Sequence, residues 1–257
     1  MKNTALITGA SGGLGLEFAK IHAKKGGDLV LIARSGDKLN QLKTELESQY
    51  GIAVHVIELD LSKPNAAQEV FTETQNKGLI IDCLINNAGI GTFGFFNDLD
   101  WKKEAQLLNL NMITLTHLTK LYLPKMVEQK RGFILNVAST AAFQPGPFMA
   151  TYFASKAYVL HFSEALGNEV KSSGIKVSAL CPPATQTSFF KSADMMDSSL
   201  TKGKKLPTAI EVAAYGYKSM LKGKSVAVYG LGNRIMASLV GFSPRSLVVK
   251  ITRKMVK

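Results

Sequence analysis

Short, continuously apolar runs alternate with longer stretches of helical periodicity along most of this chain. Residues 29–32, 54–57 and 83–85 are examples, and a helical pattern follows each of them. A strand that is apolar on both sides is buried on both faces, as in a parallel sheet covered by helices. The pattern therefore predicts an α/β fold with a single Rossmann-type, doubly wound parallel sheet and helices on both faces. No linker-like stretch interrupts it, so we expect residues 1–257 to form one domain.

The first apolar strand ends in a glycine-rich turn that spans residues 8–15, with the sequence TGASGGLG. Glycine lets a backbone turn sharply and approach a pyrophosphate closely, because it has no Cβ atom. The helix that follows directs free N–H groups and the positive end of its dipole at the same point. A glycine-rich loop without a ligand is the alternative, but the position between strand and helix favours dinucleotide binding. The expected contacts are Gly9, Ser11, Gly13, Leu14 and Gly15.

The carboxyl end of the second strand carries a cation instead of an acid. NAD sites usually place a carboxylate here to bind the ribose hydroxyls, whereas a cation meets the 2′-phosphate of NADP. The strand ends in Ile-Ala-Arg-Ser, with Arg34 and neither Asp nor Glu. We therefore expect NADP(H), with a solvated Arg34 as the alternative. Asp60, which ends the third strand beside Leu61, is expected either to bind the adenine amine or to cap a helix.

Tyr152 and Lys156 are four residues apart, which places both on one face of a helix. A tyrosine with a pKa of about 10 is a poor acid/base at neutral pH, and a neighbouring ammonium is expected to lower that pKa. Ser139 follows an apolar strand, at the sheet edge where ligands bind. Asn111 lies within a long helical stretch, 101–129, as a candidate anchor for a water molecule. An ordinary helix face is the alternative for the tyrosine–lysine pair, but the other polar residues favour catalysis.

These motifs, in this order, resemble those of the short-chain dehydrogenase/reductase family. The resemblance covers nearly the whole chain and is firm from Lys2 to about Thr187. The family's TGxxxGxG motif is matched by Thr8, Gly9, Gly13 and Gly15. Its NNAG motif is matched by residues 86–89, which in the family steady the sheet beside the cofactor. This match implies cofactor contacts from Asn87, Ala88 and Gly89.

The resemblance also implies a catalytic tetrad, composed of Asn111, Ser139, Tyr152 and Lys156. In the family, the tyrosine donates or takes the proton of the alcohol, and the asparagine holds a water molecule in a proton relay. The lysine also bonds the nicotinamide ribose, so Tyr152 and Lys156 are expected to contact the cofactor as well. Family members usually pair through their two long helices, which implies a homodimer or homotetramer.

Two positions depart from the family's pattern. The family usually has a PGxxxT motif after the sixth strand, where this chain has Pro182, Pro183 and Thr187. Because proline fixes φ and lacks an N–H, we expect this loop to be re-routed if the family's glycine needs a positive φ. Thr187 is still expected to contact the cofactor. Gly12 occupies a position where NADP-dependent members often carry a basic residue, so the NADP(H) prediction depends mainly on Arg34.

The stretch from about 187 to 207 has no strong period and is rich in Ser, Met, Phe and Lys. In the family that the chain resembles, this region forms a mobile lid over the substrate. The apolar residues here and in nearby loops predict an apolar or extended substrate, such as a steroid, a fatty-acyl compound or a lipid ketone. Core packing is the alternative for the residues concerned, which are Phe93, Phe95, Phe96, Phe143, Phe148, Met149, Phe189, Phe190, Met195 and Met196.

Positive charge is concentrated near the C-terminus. The net charge is +12, and residues 201–257 hold 12 lysines and arginines but one acid, Glu211. On a helical wheel, residues 244–257 place their basic side chains opposite an apolar arc of Leu247, Val248, Ile251 and Met255. Such a basic amphipathic helix can contact an anionic membrane or an acidic partner. The alternatives are a helix docked on the body with a solvated basic face, and steering of an anionic substrate.

Other classes of protein fit the composition poorly. Nucleic-acid binding is not expected, because no aromatic residues are interleaved with the basic ones. The four histidines show no paired ligand spacing, so we expect no metal site. With two cysteines and neither a leader peptide nor a spanning segment in the pattern, we expect a cytoplasmic protein. Peripheral contact with a membrane surface stays open.

The motifs converge on one chemistry. They predict an NADP(H)-dependent oxidoreductase that transfers hydride between the nicotinamide and a carbonyl/alcohol substrate, with Tyr152 as the acid/base. The alternative is a non-catalytic NADP(H)-binding module, either a redox sensor or a membrane-associated scaffold. The complete tetrad argues against that alternative.

Overall fold

A computed structural model of the chain describes residues 3–187, 189 and 205–256. Its centre is a seven-stranded sheet with the strand order β3-β2-β1-β4-β5-β6-β7, and all neighbouring strands are parallel. The strands are β1 Thr4–Thr8, β2 Asp28–Ala33, β3 Val54–Glu58, β4 Cys83–Asn86, β5 Gly132–Val137, β6 Ile175–Cys181 and β7 Val226–Val228.

Helices connect the strands and cover both faces of the sheet. Because the strand order reverses between β1 and β4, the loops at their carboxyl ends diverge and leave a crevice where α/β proteins bind ligands. The expected fold class is confirmed. The helices are α1 Gly13–Lys24, α2 Gly36–Tyr50, α3 Ala66–Asn76, α4 Trp101–Leu108, α5 Leu115–Gln129, α6 Ala150–Glu169, α7 Ala209–Lys222, α8 Leu231–Val240 and α9 Arg245–Val256.

The two faces of the sheet carry separate apolar cores. Ile7 and Leu29 belong to a cluster that packs against α1, α2 and α7. Leu6 and Val30, their immediate neighbours in sequence, belong to the cluster under α3, α5 and α6. Because successive side chains of a strand point to opposite faces, covering both faces requires strands that are apolar at every position.

The helical stretch predicted over 101–129 is present, but it is not α-helical throughout. A π-helical turn, Asn109–Thr114, separates α4 from α5. Inserted π turns are frequent at functional sites, because the extra residue re-aims the side chains next to it. This turn contains Asn111, whose side chain is buried.

The C-terminal helix docks on the body of the protein through one side of the predicted apolar arc. Val248, Thr252 and Val256 are buried, whereas Leu247 and Ile251 are exposed. The buried side of α9 is therefore shifted by about one residue from the apolar arc predicted on the helical wheel. Sequence periodicity alone does not show which side of a helix meets the rest of the protein. Helices α7 and α8 were not predicted. None of the helices in the described part of the chain is long and apolar enough to cross a bilayer.

Candidate active site

A cavity of about 600 Å³ opens at the carboxyl ends of the strands. It extends from the glycine-rich turn after β1 to helix α9 at the opposite end. Two of the predicted site residues, Gly15 and Asn111, do not line it. The others do, namely Gly9, Ser11, Gly13, Leu14, Arg34, Asp60, Leu61, Asn87, Ala88, Gly89, Ser139, Tyr152, Lys156 and Thr187.

The geometry of the glycine-rich turn favours glycine at Gly9, Gly13 and Gly15. Gly9 has a φ of +68°, and its N–H donates to the Ile32 carbonyl at 2.8 Å. A Cβ atom on Gly15 would lie 2.2 Å from the Gly9 carbonyl oxygen, so Gly15 serves close packing of α1 rather than cofactor contact. Gly12 has no side chain with which to cap α1. The first N–H groups of the helix are therefore available to an anion, and this cradle fits a pyrophosphate.

The NNAG segment ties β4 to β1 beside this turn. The backbone N–H groups of Asn87 and Ala88 both donate to Thr8 Oγ1 at 2.9 Å. The Asn87 amide also donates to the Thr8 carbonyl at 2.9 Å. These bonds hold the ends of the two central strands together and set the floor of the cavity.

The end of the cavity beyond β2 carries two cations. Arg34 lines it, as predicted, and Lys38 in the first turn of α2 lines it as well. Lys38 was missed, although its position four residues after Arg34 was a usable signal. Both side chains stand where the sequence predicted recognition of a 2′-phosphate.

Asp60 is held in its ionised form at the same end. Its Oδ1 accepts hydrogen bonds from the Ser62 N–H at 3.0 Å and the Ser62 hydroxyl at 2.8 Å. Partial burial acts to raise the pKa of Asp60, but these bonds and the charges of Arg34 and Lys63 together leave that pKa lowered. Helix α3 begins at Ala66, so Asp60 is not its cap. The carboxylate instead lines the cavity.

Helix α6 places Tyr152 and Lys156 one turn apart at the centre of the cavity, and both are buried. Lys156 Nζ donates to the Val137 carbonyl at 2.8 Å and lies 5.8 Å from the centre of the Tyr152 ring. Ser139 lies two residues after the end of β5, and its Oγ accepts from the Ala141 N–H at 3.1 Å. Three of the four predicted catalytic side chains therefore share one wall of the cavity.

Burial raises the pKa of the Tyr152 phenol to about 12, although a hydrogen bond with Ser139 opposes this change. Burial lowers the pKa of the Lys156 ammonium to about 8. The expectation that Lys156 lowers the pKa of Tyr152 is therefore wrong for this chain. The loss of water around the buried phenol is the largest influence on its pKa. At neutral pH Tyr152 carries a proton that it can donate.

Asn111 acts behind the cavity wall. Its Oδ1 accepts from the Ile90 N–H at 3.0 Å, and its Nδ2 donates to the Ile90 carbonyl at 3.0 Å. Nδ2 also donates to Ser155 Oγ at 3.1 Å. A Cβ atom on Gly89 would lie 3.2 Å from Asn111 Oδ1 and 3.4 Å from Lys156 Nζ. Asn111 and Lys156 thus approach each other across a position that has no side chain.

The end of the cavity beyond Tyr152 is apolar. Of the aromatic residues predicted for this lining, Phe189 lines the cavity, and Phe95 and Phe96 are exposed. The predicted aromatic residues that do not line it are Phe93, Phe95, Phe96, Phe143 and Phe148. Phe190, Met195 and Met196 lie outside the described residues, as does most of the predicted lid at 187–207. The contribution of α9 was not predicted, because it depends on packing between distant parts of the chain. The apolar lining comprises Met149, Phe153, Phe189, Met255 and Val256.

The Pro182-Pro183 loop remains part of the cavity wall. The Pro182 carbonyl accepts from the Thr140 N–H at 2.9 Å, and the Pro183 carbonyl accepts from the Thr185 hydroxyl at 2.8 Å. Thr187, at the end of the loop, faces Gly13, where a Cβ atom would lie 3.2 Å from Thr187 Cγ2. The substitution of glycine by Pro183 therefore leaves Thr187 beside the glycine-rich turn.

Cysteine and histidine have structural positions. Burial raises the pKa of the Cys181 thiol to about 12 and raises that of Cys83 as well. His22 is buried, with Nδ1 2.8 Å from the Tyr217 hydroxyl. Within residues 3–187, 189 and 205–256, no group of three or more His, Cys, Asp or Glu is placed to hold a metal ion.

A family model described as short chain dehydrogenase matches residues 3–197, which is most of the chain. The chain belongs to the short-chain dehydrogenase/reductase family. The resemblance drawn from its motifs is therefore confirmed.

Solved structures of other short-chain dehydrogenases/reductases have the same fold. A short-chain dehydrogenase from Sphingobium yanoikuyae in complex with NADPH is 31% identical, with a TM-score of 0.83 over 93% of this chain and 94% of that one. A bulky-bulky ketone specific alcohol dehydrogenase from Comamonas testosteroni is 28% identical, with a TM-score of 0.80 over 93% of each chain.

Among curated members of the family, a very-long-chain 3-oxoacyl-CoA reductase from Anas platyrhynchos is 37% identical over 194 residues. The match covers 73% of this chain and 61% of the relative. This short-chain dehydrogenase/reductase therefore spans less than two thirds of the length of that relative.

Proposed function

We propose that this chain is an NADP(H)-dependent oxidoreductase that transfers hydride between the nicotinamide and a carbonyl/alcohol pair on an apolar, lipid-like substrate. The observation that carries the proposal is the position of Tyr152, Ser139 and Lys156. They share one cavity with a glycine-rich anion cradle at one end and an apolar lining at the other. The cofactor end, the proton donor and the substrate end therefore follow one another in a single crevice.

The side chains divide the work as follows. When bound, NADPH supplies the hydride that reduces the carbonyl carbon. Ser139 Oγ and the Tyr152 hydroxyl donate hydrogen bonds to the carbonyl oxygen, and Tyr152 then gives it a proton. Lys156 holds positive charge beside the phenolate that remains, which lowers the cost of that charge in a buried site. Asn111, bonded to the backbone of Ile90 and close to Lys156, orients the route by which a proton returns.

The preference for NADP(H) is supported by two cations at the end of the cavity beyond β2. Arg34 and Lys38 both line the cavity there, and neither position offers a carboxylate to a ribose 2′-hydroxyl. A charge-assisted hydrogen bond to phosphate is about twice as strong as a neutral one. The NADPH complex of the relative from Sphingobium yanoikuyae agrees with this proposal. The glycine at position 12 gives no additional charge.

The proposed substrate class follows from the apolar end. Met149, Phe153 and Val256 offer carbon surface and no charge, so burial of alkyl groups favours binding. The relatives are named for a very-long-chain 3-oxoacyl-CoA and for bulky ketones. We propose a ketone that carries an extended apolar group next to the carbonyl.

A turnover assay separates this proposal from a non-catalytic NADP(H)-binding module. NADPH oxidation is followed with 3-oxoacyl thioesters of increasing chain length and with bulky ketones. Replacing Tyr152 with Phe is expected to lower kcat by roughly 100- to 10,000-fold, as for loss of a general acid, with NADPH affinity nearly unchanged. Tyr158→Phe on the same helix is the matched control and keeps its activity. Tight NADPH binding without turnover across the whole panel would overturn the enzymatic assignment.

A further inference from the structure

Helix α8, the connection after it and helix α9 expose an unusual amount of apolar surface. Phe242 is 90% exposed and Leu231 is 72% exposed, and none of the residues of α8 is buried. Soluble proteins rarely leave so many large apolar side chains of one segment in water unless that segment binds something. We call this the α8–α9 surface, and its apolar members are Leu231, Ile235, Met236, Leu239, Phe242, Leu247 and Ile251.

The same segment carries positive charge with no acidic residue to balance it. The sequence from Val212 to the C-terminus contains neither Asp nor Glu. On α9, Lys250 and Lys254 each follow an exposed apolar residue, Leu247 or Ile251, by three positions. Residues three apart are neighbours on a helix, so the lysines border the apolar side chains directly.

Helix α9 carries part of the α8–α9 surface and also forms part of the wall of the active-site cavity. Thr252, Met255 and Val256 of α9 line the cavity, and Val256 packs in a cluster with Met149 and Phe153. Helix α8 lies beside the turn that follows Ser139. One helix therefore has a side that faces the apolar end of the cavity and a side that faces away from the protein.

We infer that the α8–α9 surface docks on an anionic lipid bilayer. Helices with this pattern lie in the plane of a membrane interface, with apolar side chains among the acyl chains and basic ones at the headgroups. A second copy of this chain fits the surface poorly, because a symmetric contact would bring together two copies of a segment that carries basic residues and no acidic ones. The cavity would then open close to the lipid, so that an apolar substrate reaches Tyr152 without crossing water. This last consequence rests on the proposed function, whereas the docking does not.

Vesicle flotation tests the docking with the full chain. Vesicles of phosphatidylcholine with and without phosphatidylglycerol are compared at low and high salt. We expect the protein to float with the anionic vesicles at low salt and to be released as salt rises, since screening weakens its attraction to the headgroups. A second protein copy or an acidic protein as the occupant predicts no flotation.

Two double variants divide the surface into its charged and apolar parts. Each basic residue near an anionic membrane contributes about 1 kcal/mol, so Lys250→Gln with Lys254→Gln is expected to weaken partitioning by roughly 30-fold. Leu239→Ser with Phe242→Ser is expected to weaken it by at least roughly tenfold, from the lost transfer of apolar area. As salt rises through the range in which the protein still partitions, the effect of the apolar pair stays constant, whereas that of the lysine pair shrinks.

The matched control substitutions lie near the N-terminal ends of the strands, at the end of the sheet opposite the cavity. Lys25→Gln with Lys171→Gln removes the same charge, and Ile80→Ser removes an exposed apolar side chain. Controls that weaken partitioning as much as the surface variants would overturn the inference, as would absence of flotation. NADPH oxidation with a short, water-soluble ketone is measured in parallel without lipid. That activity tests the proposed function separately, because it does not depend on docking.

Discussion

The two ends of the cavity are lined by different kinds of groups. At the cofactor end, the wall is mostly backbone and short side chains, placed by the ends of β1 and β4 within a few residues of each strand. At the substrate end, the wall includes apolar side chains from the start of α6 and from α9, about a hundred residues apart in sequence. The first end depends on local turn geometry and the second on long-range packing. A mutation should therefore act sharply at one end and gradually at the other.

The largest effect is expected at the glycine-rich turn. Gly15→Ala places a Cβ atom 2.2 Å from the Gly9 carbonyl oxygen, so α1 must move away from the anion cradle. NADPH affinity measured by titration calorimetry should fall by at least roughly 100-fold, equivalent to about 2.7 kcal/mol. Gly12→Ala is the control, because its added Cβ atom meets nothing within 4 Å and its φ of 179° is open to any residue. Equal losses from both variants would contradict the assignment of a tight turn at Gly15.

The next effect concerns the cations beyond β2. Arg34→Ala and Lys38→Ala should each lower the ratio of kcat/KM for NADPH over NADH by roughly 10- to 100-fold, the value of a charge-assisted bond of about 1.5–3 kcal/mol. The losses should add only partly, because both cations meet one phosphate. In both variants, kcat measured with saturating NADPH should change little, because the cations act on cofactor binding and not on the chemical step. An unchanged ratio for Lys38→Ala would remove that residue from cofactor recognition.

A smaller and more graded effect is expected at the substrate end. Val256→Ala widens the apolar lining without touching the turn, so KM for long-chain substrates should change by a few-fold while NADPH affinity stays the same. Lost packing should lower the free energy of unfolding by roughly 1–2 kcal/mol. Val249→Ala, on the more exposed side of α9, is the control. A change in NADPH affinity for Val256→Ala would show that the two ends are not separable.

The smallest effect is expected away from both ends of the cavity, and it concerns the pH dependence of stability. Burial lowers the pKa of His22 below its ordinary value of 6.5, although bonding to the Asn3 carbonyl opposes this. Below pH 6.5 the unfolded chain therefore binds more protons than the folded one. The free energy of unfolding should fall as the pH drops below that value and should show no contribution from His22 above it. In urea unfolding experiments, the His22→Gln variant should not show this loss of stability at low pH. The His161→Gln variant, in which an exposed histidine is replaced, should still show it.

The same contrast explains what could be predicted from sequence. The strand pattern, the glycine turn and the Tyr152–Lys156 pair are local signals, and each led to the observed element. The wall formed by Val256 could not be predicted, because which side of α9 meets α6 depends on the packing of the whole body. The pKa of Tyr152 was predicted to be lowered, whereas burial raises it, and the reason for this error is related. Proximity to Lys156 can be read from spacing, but the extent of burial around both residues cannot.

The hydrogen bonds of Asn111 fix the orientation of its side-chain amide. The Ile90 N–H can only donate, so the Asn111 atom that faces it is the carbonyl oxygen. The Ser155 hydroxyl donates its single proton to the Tyr152 carbonyl at 2.7 Å and can only accept from Asn111. Both amide protons of Asn111 are thereby committed, to Ile90 and to Ser155, and one lone pair on its oxygen remains. A water molecule that binds the Asn111 side chain must therefore donate a hydrogen to this oxygen, because Asn111 has no amide proton left to offer.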